Sequence, residues 1–426
     1  MSTILWGLLL VVLALFGAPL FAIFGAAAML AFAGADISPS VIMVDLNRIF
    51  TNPTLVAIPL FTLAGYMLAE SKAPTRLVNL ARAVFGSIPG GLGVVTLVTC
   101  ALFTAFTGAS GVTIIALGGL LYPILLKEQY PERFALGLVT TSGSLGLLFP
   151  PSLPLILYGV VAAISVDKLF AAGLVPGLIL LVILSAYAIQ RGAAYKVPRT
   201  PFQWPNVRTA FRAAIWELPL PIVVIGGIYS GTFTATEAAA VTAFYVFIVE
   251  FFVYRDLSLK KDLSRVMKDS MLLVGAILMI IGVAMGLTNY LIDQEVPGKL
   301  FDYTREFITS PAMFLVVLNF FLIIVGMMMD IFSAIIVIVP LIKPIAEAYG
   351  IDQVHLGIIF LTNLEIGYLT PPVGLNLFIS SLRFGRPVFS VVRATLPYIG
   401  ILLVALLLIT YIPGLSLWMV HALNVK

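Results

Sequence analysis

The sequence LGLLFPP at residues 145–151 returns as IGYLTPP at residues 366–372, and this repeated stretch decides the fold. The glycine and both prolines of the pattern are each separated by 221 positions. Pro123 and Pro344 have the same separation, so the match extends beyond the motif. Paired breaks at corresponding positions of two apolar halves are the best sequence indication of a transporter's binding site. The chain is therefore predicted to contain an internal repeat with a functional break in each half.

The composition indicates a polytopic membrane protein. Apolar residues make up 61% of the chain and charged residues only 10%, against roughly 25% charged residues in a soluble domain. The 426 residues can supply ten or so spans of about 20 residues. With one cysteine and two histidines, no internal disulfide or histidine-rich metal centre is expected. No phosphate-binding loop and no acid–base or nucleophile pair is recognisable, so we expect neither a nucleotide-driven pump nor an enzyme.

Two apolar regions do not resemble simple membrane spans. Residues 88–126 are interrupted by TGASG at 107–111, and residues 311–348 are interrupted by GMMMD at 326–330. Each arm is about 15 to 17 residues long, which is short of the roughly 20 needed to cross. Non-helical backbone is tolerated at membrane depth when it is buried in protein or lines a cavity. We therefore predict two re-entrant hairpins.

The predicted organisation is one domain built from two repeats joined by a helix. The first repeat, residues 1–213, contains scaffold helices at 4–70, a hairpin at 88–126, a broken helix at 134–158 and a helix at 168–190. The linking helix lies at 214–231. The second repeat, residues 232–426, contains scaffold helices at 235–292, a hairpin at 311–348, a broken helix at 355–381 and a helix at 394–414. The first apolar run, residues 4–34, is predicted to be one retained helix.

The charges orient this arrangement. If both hairpins re-enter, 18 of the 24 Lys and Arg residues lie in segments on one side of the membrane, which the positive-inside rule makes cytoplasmic. The odd linking helix then inverts the second repeat relative to the first. Residues 75–85 and 207–216 mix arginine with large apolar residues, so they either lie along the membrane surface or form ordinary cytoplasmic loops.

The second Pro-Pro break carries oxygen ligands suited to sodium. Proline removes backbone donors and displaces the preceding residue from the helical region, which leaves carbonyls without intrahelical partners. Thr370 adds a hydroxyl, Gly374 gives close backbone access and Asn376 adds an amide. Neutral oxygens without sulfur or imidazole suit a hard monovalent cation.

The tip of the first hairpin carries the small polar residues Thr107, Gly108, Ser110 and Thr113. A helix begins at this interruption, and its free N–H groups suit an anionic group of a substrate. At the first Pro-Pro break the corresponding polar and small residues are Ser144, Gly146 and Ser152. These residues are candidates for contact with substrate or ion.

Three acidic residues in apolar surroundings need separate interpretations. Asp330, at the second hairpin tip, is a functional candidate because inserting a charge into the membrane is costly; it is equally a candidate helix cap, and both roles are compatible. Glu365 precedes the second break and is interpreted as a buried structural acid in preference to an ion ligand. Glu237 follows a run of turn residues and is interpreted as an acid in the first turn of a helix.

The motifs resemble those of one transporter family. The runs SGSLGLLFPPS at 142–152, LEIGYLTPPVGLNLF at 364–378 and TATEAAA at 234–240 resemble the large membrane subunit, the DctM-type permease, of tripartite ATP-independent periplasmic (TRAP) transporters. The resemblance implies an elevator-type transporter in a prokaryotic inner membrane, with sodium as coupling ion and no other cofactor. It also implies a periplasmic substrate-binding protein and a small four-helix membrane subunit, here expected to be a separate chain.

The resemblance also implies two sodium sites. One joins Gly108 and Ser110 of the first tip to Gly143 and Gly146 of the first broken helix. The other joins the second tip to the second break. Its residues are Gly326, Asp330, Thr370 and Gly374. Thr107, Ser110, Thr113, Ser152 and Asn376 are the candidate substrate contacts. The first tip departs from the common family pattern, a Ser-Gly-Ser-Ser tip followed by Ala-Asp, because no acid follows it here.

The sequence thus predicts sodium-coupled uptake of a small organic acid, such as a C4-dicarboxylate or sialic acid, delivered by a binding protein. A stand-alone ion-coupled anion symporter of the same architecture is the closest alternative. A channel is a more distant alternative, because no pore-lining repeat or charged ring is present.

Overall fold

The structure, a computed structural model, describes residues 2–16 and 18–423. Every regular element in this part of the chain is helical. Eight of these helices are long and apolar enough to cross a membrane, and the bent pair Glu132–Leu148 and Leu153–Ala162 adds a ninth span if it is counted as one. Three of the eight, Ser110–Lys127, Pro311–Met328 and Ile331–Ala348, are arms of the predicted hairpins; each has 18 residues and is longer than the sequence predicted. The predicted fold class is confirmed: the protein is an all-α polytopic membrane protein with two inverted repeats, hairpins and Pro-broken helices.

The helices follow the chain in two similar series. The first half contains Ser2–Leu15, Leu20–Gly34, Val41–Phe50, Pro53–Val56, Ala57–Glu70, Ala73–Phe85, Gly91–Thr107, Ser110–Thr113, Ile114–Gly118, Gly119–Lys127, Glu132–Ser142, Leu145–Leu148, Leu153–Ala162, Val166–Ala194 and Trp204–Ala213. The second half contains Pro219–Tyr229, Ala235–Ile248, Val249–Val253, Leu263–Asp293, Val296–Phe307, Pro311–Met328, Ile331–Ala348, Gln353–Gly367, Leu375–Phe384, Val388–Tyr411 and Gly414–Ala422.

Two hairpins and two broken helices, called the central units below, form the centre of the protein. Hairpin 1 consists of Gly91–Thr107 and Ser110–Lys127, and hairpin 2 of Pro311–Met328 and Ile331–Ala348. Adding the repeat spacing of 221 to the ends of Ser110–Lys127 gives 331 and 348, which are the ends of Ile331–Ala348. Broken helix 1 runs from residue 132 to 162, and broken helix 2 from residue 353 to 384. The helix ends therefore follow the spacing that the motifs indicate.

The broken helices and one arm of each hairpin, Gly91–Thr107 and Ile331–Ala348, form much of the buried core. Every residue from Val354 to Gly367 is buried, and so is every residue from Leu153 to Gly159. Because the protein itself covers these residues, other helices surround both stretches. Residues such as Leu272 and Met279 of Leu263–Asp293, in contrast, leave one face of that helix exposed. The remaining helices thus form an outer scaffold.

The first apolar run differs from the prediction. Instead of one helix over residues 4–34, the structure has two helices, Ser2–Leu15 and Leu20–Gly34. Pro19 immediately precedes the second helix with an extended ψ of 133°. Proline has no N–H to continue the first helix and disfavours helical backbone in the residue before it. The interruption therefore follows from Pro19, which the continuous hydropathy did not reveal as a helix boundary.

Amphipathic helices lie outside the membrane-spanning series. Of the two alternatives for residues 75–85 and 207–216, the structure makes both segments helical, as Ala73–Phe85 and Trp204–Ala213, and packs them against each other. Val296–Phe307 was not predicted, although it stands about 221 positions after Ala73–Phe85. Because charged residues interrupt its apolar pattern, length and hydropathy did not predict this helix.

Glu237 has the role that its position predicted. The Thr234 side chain accepts a hydrogen bond from the Glu237 N–H, and the Glu237 carboxylate accepts one from the Thr234 N–H. This reciprocal pair satisfies two backbone donors that the first turn of Ala235–Ile248 would otherwise leave unbonded. Glu237 is therefore a capping residue of a scaffold helix.

A buried charge cluster ties Ala73–Phe85 to the second half of the chain. The Arg76 guanidinium donates to the carboxylates of Glu217, Glu250 and Asp256, and it lies 3.8 Å from the centre of the Tyr254 ring. Burial raises the pKa of the Glu217 carboxyl, although Arg76 acts to lower it. Arg76 thus offsets three carboxylates that are largely removed from water, and the exposed Lys72 adds a pair with Asp256 at 3.9 Å.

Replacing Arg76 by glutamine is expected to destabilise the protein by about 3–5 kcal/mol, because removing one partner leaves buried carboxylates without their cation. The thermal unfolding midpoint in detergent would fall clearly below that of the parent. Arg82→Gln is the matched control on the same helix, since Arg82 forms one partly exposed pair with Glu128 and such pairs contribute about 0–1 kcal/mol. Equal midpoints for the two variants would contradict this role of Arg76.

Candidate functional site

Both broken helices are interrupted by the Pro-Pro steps that the sequence singled out. The Pro150–Pro151 and Pro371–Pro372 peptide bonds are cis. In broken helix 1 the axis bends by 45° between Glu132–Leu148 and Leu153–Ala162. In broken helix 2, Gln353–Gly367 ends before the prolines and the next helix begins at Leu375. Non-helical backbone therefore interrupts both broken helices. It is buried at Pro150 and Pro151, whereas Pro371 and Pro372 are exposed.

The tip of hairpin 2 is built on Asp330. One Asp330 carboxylate oxygen accepts hydrogen bonds from the N–H groups of Phe332 and Ser333, at 3.0 and 3.1 Å, and the other accepts from the Ser333 hydroxyl. Asp330 is thus the N-cap of Ile331–Ala348, which confirms the capping role that the sequence allowed. The carboxylate faces backbone donors at the end of a helix, where negative charge is favoured.

Hairpin 2 contacts broken helix 2 through backbone atoms. A Cβ atom at Gly367 would lie 2.5 Å from the Gly326 carbonyl carbon and 2.6 Å from its Cα. The Gly374 N–H donates to the Met327 carbonyl at 3.0 Å. The Tyr368 hydroxyl accepts from the Ile331 N–H at 2.5 Å. These contacts place the hairpin tip directly on the second Pro-Pro break.

Thr370 lies on the same break but bonds locally. Its hydroxyl donates to the Ile366 carbonyl at 2.8 Å, and its side chain is only partly buried. Gly374 has a positive φ of 42°, a conformation that favours glycine. The predicted residues Gly326, Asp330, Thr370 and Gly374 therefore lie on two segments that touch, with the hydroxyl oxygen of Thr370 still able to accept.

Hairpin 1 meets broken helix 1 in the same way. A Cβ atom at Gly146 would collide with the Ala101 carbonyl and lie 2.5 Å from the Ala105 nitrogen. The Thr104 hydroxyl donates to the Gly143 carbonyl at 2.9 Å and lies 2.7 Å from the Thr113 hydroxyl oxygen. The repeat spacing of 221 positions relates Gly146 to Gly367, so this close contact corresponds to the one between hairpin 2 and broken helix 2. Thr104 was not predicted, because a threonine in an apolar helix carries no local signal.

The two repeats are joined by a hydrogen bond between their candidate residues. The Ser110 hydroxyl, at the tip of hairpin 1, donates to the Asn376 side-chain oxygen at 2.8 Å, and both side chains are buried. The Asn376 amide nitrogen and the Thr107 hydroxyl have no hydrogen-bond partner among the described residues. Buried polar groups without partners are uncommon and indicate a ligand, water or ion.

Ser152 and Thr113 have their polar groups satisfied within the protein. Ser152 is fully buried, donates to the Leu147 carbonyl and accepts from the Leu155 N–H as the N-cap of Leu153–Ala162. Thr113 pairs with Thr104. Gly108, with a φ of 64°, places its backbone against the Leu153 side chain. Ser152, Thr113 and Gly108 therefore all lie at the junction of hairpin 1 and broken helix 1.

Glu365 lies in the core, six residues before Pro371 of the second break. It is 1% exposed, and neither carboxyl oxygen has a hydrogen-bond partner among the described residues. No cluster of three or more His, Cys, Asp or Glu side chains suited to a metal ion occurs in the same part of the chain. The Glu365 carboxyl is thus a further buried polar group without a partner, like the Asn376 amide nitrogen and the Thr107 hydroxyl.

A cavity of about 450 Å³ opens where both hairpin tips face the scaffold. One side is formed by the tip of hairpin 1, Asp330 and Tyr368, and the other by Tyr66 and an apolar face of Leu263–Asp293. Its polar groups are few and lie mainly at the tips, as in many small-molecule sites. Tyr66 and Tyr368 were not predicted as lining residues, because tyrosine in an apolar helix usually packs in the core.

Comparison with known proteins supports this architecture. A family model described as "Tripartite ATP-independent periplasmic transporter, DctM component" matches residues 7–415. The chain is 41% identical over 368 residues to the C4-dicarboxylate TRAP transporter large permease protein DctM of Pseudomonas aeruginosa, and the match covers 85% of each protein. It is 35% identical over 372 residues to the isethionate TRAP transporter permease protein DctMQ of Oleidesulfovibrio alaskensis, covering 85% of this chain and 58% of that protein.

Among solved structures, the YdaH transporter of Alcanivorax borkumensis has a similar fold. The TM-score is 0.65, the match covers 88% of each chain, and the sequences are 11% identical; this likeness concerns the fold alone. The matching relatives are transporter permeases and not enzymes. The match to the family model over residues 7–415, together with the membrane-spanning helices, shows that this multi-pass inner-membrane protein belongs to the DctM component family of tripartite ATP-independent periplasmic transporters.

Proposed function

We propose that the protein couples the uptake of a small organic anion to sodium through an elevator movement of the hairpins and broken helices along the scaffold. The cavity of about 450 Å³ between the two tips and Leu263–Asp293 carries this proposal. One wall belongs to the central units and the other to the scaffold. Sliding of the central units would therefore move a bound ligand together with the tips.

Two sodium ions are proposed to bind where the tips meet the breaks. The first site comprises Gly108 and Ser110 with Gly143 and Gly146, and the second comprises Gly326, Asp330, Thr370 and Gly374. Carbonyl, hydroxyl and carboxylate oxygens are ligands of hard cations. The contacts of Gly367 with Gly326 and of Gly374 with Met327 support the second site, because they hold the tip against the break.

The proposed substrate is a small organic acid. The relatives named above are called transporters of C4-dicarboxylate and of isethionate, both of which are compact anions. Beside the tip of hairpin 1, the Thr107 hydroxyl and the Asn376 amide nitrogen, which have no partner among the described residues, supply donors for an anionic group. The Ser110 hydroxyl holds the Asn376 side chain in place by donating to its oxygen. Charge-assisted hydrogen bonds of this kind bind carboxylates and sulfonates without a basic side chain.

The proposed partners are a small membrane subunit and a periplasmic binding protein that delivers the substrate. The match covers 58% of the DctMQ relative, which leaves room in that protein for a second membrane component. We expect the corresponding subunit of the present protein to be a separate chain. Because the binding protein would determine which substrate is delivered, ligand-binding measurements on it would identify the substrate.

Reconstitution into proteoliposomes tests whether transport requires both proposed partners. The chain should take up substrate into proteoliposomes only when the small subunit and the substrate-loaded binding protein are both present, and the uptake should saturate. Uptake by this chain without a partner would instead select a stand-alone symporter. Conductive flux without saturation would select a channel and contradict the proposal.

Thr370→Val is expected to raise the sodium concentration for half-maximal uptake by at least about tenfold, which corresponds to about 1.4 kcal/mol of lost binding. Valine keeps the shape but removes the hydroxyl oxygen, which lies on the break beside the hairpin 2 tip. Thr370→Ser retains that oxygen and should resemble the parent. An unchanged sodium dependence in Thr370→Val would remove this residue from the proposed site.

A further inference from the structure

A second cavity, lined by polar groups, lies at the N-terminal end of broken helix 1, away from the Pro-Pro break. It has a volume of about 510 Å³ and forms where Glu132–Ser142 and Val388–Tyr411 begin. Its lining includes three arginines, Arg133, Arg386 and Arg393, and one acid, Glu132. None of these residues belongs to the proposed sodium or substrate sites.

Two of the three arginines lack a carboxylate partner among the described residues. Arg386 pairs with Glu132 at 2.6 Å, and Glu132 also accepts from the Tyr122 hydroxyl. The Arg133 guanidinium donates twice to the Arg393 backbone carbonyl, at 3.1 and 2.8 Å. Within the described part of the chain, Arg133 and Arg393 form no ion pair. The cavity therefore keeps an excess of two positive charges.

The backbone adds to this positive potential. Pro131 and Pro387 immediately precede the two helices, and neither helix has a side chain capping its first N–H groups. Uncapped N–H groups at a helix start attract anions. Guanidinium groups on neighbouring helices combined with such donors match the several acceptor oxygens of a phosphate group.

The surroundings of the cavity are apolar. Phe389 is 64% exposed, and its ring lies 4.5 Å from the Arg393 guanidinium carbon. Leu382 and Leu396 are also largely exposed. By the distribution of Lys and Arg, this end faces the cytoplasm, where the membrane leaflet carries anionic lipids that attract basic residues. Apolar residues beside a positively charged cavity suit an anionic group that is attached to acyl chains.

We propose that this cavity binds a phosphate group, supplied by the headgroup of an anionic phospholipid of the cytoplasmic leaflet. The headgroup would contact Arg133 and Arg393, and its acyl chains would lie along the exposed Phe389 and Leu396. Because Glu132–Ser142 belongs to broken helix 1, the lipid would bind next to the part proposed to move. Free inorganic phosphate has the same chemistry and is the other source to be distinguished.

Titration of the purified protein in nanodiscs tests the proposal. Phosphatidylglycerol in a phosphatidylcholine background should raise the unfolding midpoint of the parent, because a ligand that binds the folded state stabilises it. Native mass spectrometry should detect the retained lipid. Arg393→Gln should weaken this lipid dependence by about tenfold. Among the described residues the Arg393 guanidinium has no hydrogen-bond or ion-pair partner, so the variant is expected to fold, and Arg133→Gln provides a second test.

Arg212→Gln is the matched control, since Arg212 is an exposed arginine of Trp204–Ala213 on the same predicted side. It should respond to phosphatidylglycerol as the parent does. A parallel titration in detergent with inorganic phosphate identifies the source: a response to phosphate alone keeps the site and assigns it to the free ion. No response to either ligand, or the same loss in Arg212→Gln as in Arg393→Gln, would overturn the proposal.

Discussion

Asp330→Asn is expected to fold as the parent does and to lose sodium-dependent uptake by about a hundredfold, which corresponds to about 2.7 kcal/mol. Asparagine is as good an N-cap as aspartate, so it can still accept from the N–H groups of Phe332 and Ser333. It removes the negative charge that a sodium ion at the hairpin 2 tip would require. The variant therefore separates the capping role from the ionic one.

The comparison needs two measurements on each variant. The unfolding midpoint of Asp330→Asn should equal that of the parent, whereas Asp330→Ala should lose about 1 kcal/mol because it also removes the cap. Sodium-dependent uptake should be lost in both. If Asp330→Asn took up substrate with the parent's sodium dependence, Asp330 would be a cap alone.

Gly367→Ala is expected to prevent stable folding or to destabilise the protein by more than about 3 kcal/mol. The added Cβ would lie 2.5 Å from the Gly326 carbonyl carbon and 2.9 Å from the Met327 nitrogen. These are backbone atoms, which cannot rotate away as a flexible side chain can. Hairpin 2 would have to separate from broken helix 2, and the second proposed sodium site would separate with it.

Gly400→Ala is the matched control for this substitution. Gly400 is also inside a helix, Val388–Tyr411, but no neighbouring atom of the described residues lies within 4 Å of the position that an added Cβ would take. Alanine there should be neutral or should stabilise by up to about 1 kcal/mol through its better helix propensity. Similar expression and midpoints for Gly367→Ala and Gly400→Ala would contradict the close backbone crossing.

The sequence was most informative where an interaction is local or repeated. Two Pro-Pro steps at one spacing predicted the breaks, and interrupted apolar segments predicted the hairpins, because backbone hydrogen bonding inside a membrane leaves few alternatives. Glu237 and Asp330 were interpretable as caps because a cap is defined by its neighbours within three residues. The same local logic failed at Pro19, where continuous hydropathy concealed a helix end.

Contacts between distant segments were not predictable from one sequence. Ser110 and Asn376 were both candidates, but their hydrogen bond joins residues 266 positions apart. The crossing of Gly326 and Gly367 depends on how closely two helices approach, which the sequence indicates only as two glycines. Arg76 gave no sign that it would meet three carboxylates, since these lie 141, 180 and 174 positions away.

The Ser110–Asn376 bond has a mechanistic consequence. It connects the tip of hairpin 1 in the first repeat to the helix that follows the second Pro-Pro break. Under the proposed mechanism, an ion bound at either site would influence the other through this buried contact. The two sites would then load together, which suits a carrier that should move only when its ions and substrate are bound.

The proposed sodium coupling is tested most directly by uptake into proteoliposomes that contain the reconstituted assembly, with the membrane potential held at zero. An inward tenfold sodium gradient should drive the substrate to a higher concentration inside than outside, and accumulation should stop when sodium is equal on both sides. Replacing sodium by potassium should abolish it. Accumulation to the same level without a sodium gradient, or with potassium, would contradict the account.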